Sequence, residues 1–359
     1  LVGFSAPAWG QRFDLIGAPQ GYSATLAYGI SDDGRTVAGY SVITGSNSAS
    51  GFLWTNASDR DDFGVRSGFP ALTYTFGISN DGTAAVGMGY NGNGRGDPWG
   101  QGRAFVYRNG VIQNLGVLAG GTSSRALDAN HDGSVVVGYA EQNGIPRAFR
   151  WTAATGMVHL GFARPGDFYA RAEAVSRDGR VIVGRSSSGQ SEVGYRWTES
   201  GGMEALLDFA PTCLNSDGSI LGGFWGGSAK IWRSGLVETL LERDGSESVL
   251  SISSVDEGGD IAAGFVTVPG QRNRASIWTR ETGTISLSEY VQSFGILTDT
   301  NTELLECEAI SSDGMTFTGR AYLRDLNSVR GFVIQIPSPA GLLILGVASP
   351  LFVRFGRRR

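Results

Sequence analysis

The chain has 359 residues, of which 55 are glycine, about twice the usual share, and its formal charge is −5. Charged residues make up 18% of it, below the roughly 25% of ordinary globular domains, and Lys230 is the only lysine, so there is no basic patch for nucleic acid. Two histidines and two cysteines are too few for a histidine metal cage or a disulfide framework.

Residues 1–10 are small and loop-like. A first residue of Leu1 rather than methionine fits either a removed signal peptide or a trimmed chain. Phe13-Asp-Leu-Ile-Gly17 then predicts a short strand that belongs to no hairpin of its own.

From there one frame recurs seven times: a short run, an Asp-Gly turn, and an apolar run that closes on glycine. Its clearest copy is Ala129-Asn-His-Asp-Gly-Ser-Val-Val-Val-Gly138. The turn glycines are Gly34, Gly82, Gly133, Gly179, Gly218, Gly259 and Gly314, and each precedes its closing glycine by five residues. The intervals between copies are 48, 51, 46, 39, 41 and 55 residues, so insertions fall in loops. Internal repetition overrides a count of domains from length and gives one repeat-built domain over residues 11–336.

Each copy predicts four short strands. The first enters the turn and the second leaves it, and Asp-Gly there predicts a hairpin turn with both central residues at positive φ. The third carries aromatic residues at i and i+2, as in Phe149 and Trp151 or Tyr195 and Trp197, which places both on one face against a neighbouring sheet. The fourth is short, as in Gly156-Met-Val-His-Leu-Gly161. The closing glycine predicts a bend or a close approach between sheets. Copy one shows no clear fourth strand, although Asp59-Arg-Asp-Asp-Phe63 could hide one. Ser286–Phe294 predicts a helix, with Leu287, Tyr290, Val291 and Phe294 at helical spacing.

Four strands in roughly 40–50 residues, repeated, predict an all-β propeller of seven four-stranded blades. The seventh copy runs from Phe332-Val-Ile334 straight into Pro337 and lacks a fourth strand, so the orphan strand at Phe13 completes it and closes the ring. Six- and eight-bladed rings also fit the pattern. A β-solenoid or stacked sandwiches would leave the orphan strand unexplained.

Residues 337–359 change character. Pro337-Ser338-Pro339 precedes a 14-residue apolar run and then Arg354, Arg357, Arg358 and Arg359. A bilayer span wants about 20 apolar residues, so the run is marginal, and a buried last strand is the alternative. Terminal arginines would hold the end on the cytoplasmic side and the repeats outside. Tripeptide, apolar run and arginine cluster in that order resemble the bacterial PEP-CTERM sorting signal. That resemblance implies export, transient membrane anchoring and cleavage by an exosortase-type enzyme. Its motif would be Ile336, Pro337, Ser338 and Pro339, with Arg357, Arg358 and Arg359 as the basic end. Ser338 stands where the usual motif has glutamate.

The repeat itself resembles the HAF family of extracellular repeats over roughly residues 12–336. This rests on Ile-Ser-x-Asp-Gly-x-x-Val-x-Gly, then Ala148-Phe149-x-Trp151, then Gly156-Met157-Val-His-Leu-Gly161. The family implies an exported, propeller-like protein at the cell surface or in the matrix, and no defined reaction.

Chemistry is sparse. His131 occupies a position that other copies fill with Asp32, Asn80, Arg177 or Ser216, which predicts a solvated turn residue. Calcium at the Asp-Gly turns would be under-coordinated with one regular aspartate per copy. The insert Asn91–Asp97 is the better local candidate, and Arg95-Gly96-Asp97 within it matches an integrin-binding tripeptide of chance length. No phosphate loop or nucleophile elbow occurs. Asp62, Asp97, Asp128, Glu173, Asp208, Glu257 and Glu308 could supply a carboxylate pair for glycan hydrolysis, with nothing to select one. Trp99 or Trp225 could stack on a sugar. Cys213 and Cys307 lie two copies apart, which favours two independent buried thiols. Three functions fit: a structural or binding component directed toward polysaccharide, a polysaccharide hydrolase or lyase, and a surface scaffold for proteins.

Overall fold

The computed structural model describes residues 11–46, 48–56, 59–63, 72–90, 102–242, 245–296 and 299–337. Its strands form seven four-stranded antiparallel sheets. Blade 1 is Tyr22–Ile30, Val37–Ile43, Ala49–Asn56 and Asp59–Asp62, in that order from the axis outward. Blades 2 to 6 repeat the meander over 72–114, 121–159, 169–206, 210–239 and 251–286. Blade 7 joins Thr302–Ile310, Thr316–Leu323 and Ser328–Gln335 to the first strand, Arg12–Ile16. Arg12 pairs with Gln335 and Ile16 with Gly331, so the orphan strand closes the ring as expected. The chain is a seven-bladed propeller.

Copy one's missing strand is Asp59–Asp62, paired with the third strand through Trp54 and Arg60. Its polar sequence hid it. As an outermost strand it needs no apolar face, and the Arg60 guanidinium lies 4.3 Å from the Phe52 ring centroid instead. The helix spans Leu287–Gln292, with Ser286 as N-cap accepting from the Glu289 N–H. It buries Leu287, Tyr290 and Val291 between blades 6 and 7, together with Phe294 just beyond its end.

The turns differ from the expected type. Asp33, Asp81 and Asp132 do not have positive φ, and only the glycines after them do, Gly34 at 69° and Gly133 at 65°. The reason is local side-chain bonding. Ser176 Oγ donates to Asp178 Oδ1 (2.7 Å) and accepts from the Val181 N–H (2.9 Å), and Asp178 Oδ1 accepts from the Arg180 N–H (3.0 Å). Asn130 and Asn215 replace the serine and accept through Oδ1 from Val135 and Ile220. The aspartate is thereby consumed inside its own turn. Turns with two consecutive positive φ values occur elsewhere, at Asn109-Gly110 and Asn143-Gly144.

The close approach between sheets also lies elsewhere than expected. A Cβ on the turn glycine Gly34 would stand 2.8 Å from Thr316 Cβ of blade 7, and one on Gly218 would stand 2.8 Å from Val181 of blade 4. Turn glycines therefore seat each blade on the one before it. The closing glycines act within their own sheet. A Cβ on Gly138 would lie 2.0 Å from the Arg125 carbonyl oxygen, and one on Gly184 2.0 Å from that of Arg171. In all seven blades the innermost strand carries a β-bulge facing this glycine.

The core is divided into seven clusters, one per blade interface. Phe149 and Trp151 pack together on Ala84, Val86 and Ala104 of blade 2, which is the shared face that period-two spacing predicts. Cys213 and Cys307 are separate, buried free thiols.

Candidate functional site

The bulge fixes what lines the axis. It leaves one innermost-strand residue per blade unpaired: Tyr28, Phe76, Leu127, Glu173, Thr212, Ser253 and Glu308. All seven line a central cavity of about 210 Å³. That space suits several waters or one small molecule. Sequence reasoning missed this ring, yet each member lies six residues before its turn glycine. Spacing was the available signal, because residue type varies freely there.

Toward the turns the cavity is narrowed by a belt of backbone. Asp32 N–H donates to Asn80 O (2.8 Å), Asp81 to His131 (3.0 Å), His131 to Arg177 (3.0 Å), Arg177 to Ser216 (2.7 Å) and Glu257 to Ser312 (3.1 Å). Arg177 Nη1 reaches Asp32 Oδ2 at 3.1 Å, from blade 4 to blade 1. His131 is accordingly a half-buried member of this belt, with Nε2 3.5 Å from Arg177, rather than a solvated turn residue.

The opposite mouth is chemically richer. There the residues two before each bulge and one after each closing glycine share the rim with the bulge residues. In blades 1 to 3 they hold five aromatic residues, Tyr28, Tyr40, Tyr74, Phe76 and Tyr139, beside Leu26, Met88, Arg125 and Leu127. Tyr28 stacks on Tyr40 (5.4 Å between centroids), Tyr40 meets Tyr74 edge-on (5.1 Å), and Tyr28 meets Phe76 edge-on (5.8 Å). Arg125 lies over Phe76 and Tyr139, and Arg171 lies over the same Tyr139. In blades 4 and 7 they are charged. Glu173 pairs with Arg171 and Arg185, while Glu306 and Glu308 share Arg320. Burial pushes the Glu308 carboxyl up to about 7 against the pull of Arg320. Burial also pushes Tyr28 well above the usual tyrosine range. In blades 5 and 6 the corresponding innermost-strand residues are the small Ala210, Thr212, Ser251 and Ser253.

Four of the seven candidate acids meet at the cavity: Asp128, Glu173, Glu257 and Glu308. Each is engaged. Asp128 accepts from the Val175 N–H (2.9 Å) and the Ala129 N–H (2.8 Å), yet burial, the larger effect, raises its carboxyl to about 7. Glu257 accepts from the Ser216 N–H at 3.1 Å and from its hydroxyl. Asp62 and Asp208 are exposed and lie away from the cavity lining, Asp62 on the outermost strand of blade 1 and Asp208 in the connection between blades 4 and 5. Asp97, Trp99 and the Arg95-Gly96-Asp97 insert lie outside the described residues. Trp225 is half-buried at the end of a blade 5 strand. Among the described residues no cluster of three potential metal ligands occurs. Two of the turn aspartates are held low by their own turns: hydrogen bonds from the Ser134 hydroxyl and N–H depress Asp132, and those from Ser219 depress Asp217.

Of the tail, Ile336 is buried in the interface of blades 6 and 7 and donates its N–H to Met315 O (2.9 Å), and Pro337 is buried. Ser338, Pro339, Arg357, Arg358 and Arg359 lie outside the described residues. Among the described residues no helix is long and apolar enough to cross a membrane.

No protein-family model and no curated protein matches this chain. Solved structures do. It is similar to oligogalacturonate lyase from Vibrio parahaemolyticus, at 10% identity and a TM-score of 0.57 over 91% of this chain and 97% of that one. It is similar to the β-propeller domain of the Trilobed protease from Pyrococcus furiosus, at 11% identity and a TM-score of 0.53 over 87% and 95%. TolB from Acinetobacter baumannii matches at 13% identity and a TM-score of 0.45, over 90% of this chain and 66% of that one. At such identities the likeness is one of fold. The Pyrococcus domain is described as having an open velcro topology, whereas here the seam between Arg12–Ile16 and Ser328–Gln335 is paired.

Proposed function

We propose that this chain is an exported bacterial surface or matrix propeller that binds extracellular polysaccharide at the mouth rimmed by Tyr28, Tyr40, Tyr74 and Tyr139. The observation that carries the reading is the aromatic arc of blades 1 to 3, partly exposed and facing the channel. Tyrosine suits that task, since its ring offers an apolar face to a pyranose and its hydroxyl a hydrogen bond. The channel acids are occupied by arginine or backbone partners, which favours binding over hydrolysis or elimination. Export and transient anchoring by an exosortase-type enzyme rest on the tail from Ile336 to Arg359 and on the resemblance of the repeat to extracellular ones.

The test is retention of the full chain on extracellular polysaccharide from its source cells, with and without a calcium chelator, while released reducing ends are assayed. Retention without cleavage, lost when Tyr40 and Tyr74 are both replaced by alanine, is the expected result. Cleavage would replace this reading by that of an enzyme. Absence of retention would replace it by a scaffold for surface proteins. Fractionation of source cells tests the location, with intact chain in the cytoplasm as the opposing outcome.

A further inference from the structure

The rim of this mouth comprises three positions per blade, and its ionisable acids and bases can be matched. Arg125, Arg171, Arg185 and Arg320 stand against Glu173, Glu306 and Glu308. Arg320 reaches both Glu306 and Glu308, Glu306 also accepts from Asn273 (2.8 Å), and Arg171 and Arg185 both reach Glu173, Arg185 also contacting Glu192. Arg125 is left over. Among the described residues it makes no ion pair or hydrogen bond, and its Nε is buried without a partner.

Its position is nonetheless fixed. The guanidinium carbon lies 4.9 Å from the Phe76 centroid and 5.7 Å from that of Tyr139, and Arg171 sits 5.0 Å from the same Tyr139 ring. Stacking holds the faces of the guanidinium and leaves its edge, the donor fork that matches a carboxylate, unengaged. This surplus cation stands in a chain whose net charge is −5. In blades 5 and 6 the small Ala210 and Ser251 stand opposite Phe224 and Phe265.

We infer that Arg125 receives the carboxylate of an acidic sugar, so that the polysaccharide bound here is a uronate polymer, with the pyranose ring laid along the tyrosine arc. The inference rests on the proposed polysaccharide binding and narrows its class.

The experiment measures binding of the full chain to alginate, a uronate polymer, and to dextran, a neutral one, at two salt concentrations. The wild-type chain should hold alginate more tightly than dextran, and the preference should shrink as salt rises. Arg125→Ala should weaken alginate roughly tenfold to a hundredfold, a larger factor than any loss for dextran. Arg125→Lys, which keeps charge and loses the fork, should fall between them, and it supplies the answer if Arg125→Ala does not fold. Free glucuronate should compete where glucose does not. Equal binding of alginate and dextran, insensitive to Arg125→Lys, would overturn the acidic class and leave polysaccharide binding intact. Competition by inorganic phosphate equal to that by glucuronate would overturn it in favour of a general anion site. Failure to bind either polymer would overturn the underlying polysaccharide reading itself.

Discussion

Replacing Gly138 by alanine tests the role of the closing glycine directly. The new Cβ would start 2.0 Å from the Arg125 carbonyl oxygen and 3.1 Å from the Ala126 Cα, both backbone atoms that no rotamer can move aside. Normal carbon–oxygen contact needs roughly 1.2 Å more, and that carbonyl borders the bulge between Ala126 and Asp128. Overpacking typically costs about 1–3 kcal/mol, and a clash with backbone belongs at the upper end, about 3 kcal/mol. With about 2.1 cal/mol/K of unfolding entropy per residue over roughly 300 ordered residues, this lowers Tm by about 5 °C. Calorimetry of Gly138→Ala beside Gly17→Ala, whose Cβ meets nothing within 4 Å, measures it. The control should melt with the wild type. If Gly138→Ala also melts within a degree of wild type, the bulge is yielding and steric need does not explain the glycine.

Ser176→Ala removes, at a fully buried position, the acceptor of the Val181 N–H and should cost about 1–3 kcal/mol by urea unfolding, whereas Ser176→Asn, the arrangement at Asn130, should cost much less. Burial raises the Glu308 carboxyl, so the folded chain holds a proton that the unfolded one has released; this contribution is full below the ordinary glutamate value of roughly 4.3 and is lost as pH rises through about 7. Glu308→Gln should therefore flatten the decline of urea midpoints between pH 5 and 8, and a steeper decline would contradict the assignment. Cys213 and Cys307 are buried and unbridged, so a thiol reagent should find none in the native chain and two after unfolding. A chain beginning at Gly17 leaves the Ser328–Gln335 edge unpaired and should dimerise or aggregate on size exclusion.

The seven turns, the third-strand aromatics and the orphan strand were legible because each satisfies a demand of geometry that few residue types meet. Gly34 must fit against Thr316, and Trp151 must fill an interface. Asp59–Asp62 was obscured because an outermost strand answers only to its pairing partner, so its side chains need not alternate. The channel rim had a signal for its place, in the spacing to the turn glycine, but none for its chemistry. Arg125, Tyr74 and Ala210 occupy equivalent positions and share no chemistry, because the fold asks nothing of a side chain that faces the axis. The ordinary Asp-Gly preference suggested two positive φ values. The serine or asparagine two residues before the aspartate decided otherwise, by accepting the backbone N–H that closes the turn.

The pairing of Arg12 with Gln335 also sets an order of events. In a chain delivered from its N-terminus, the strand that appears first has no partner until nearly the last residues arrive, so six blades can stack as an open arc while the first strand waits. Contacts of such long sequence separation form slowly. Ring closure is thus the final step of assembly, and any process that pauses delivery before Ser328 holds the protein as an incomplete crescent with two exposed ends.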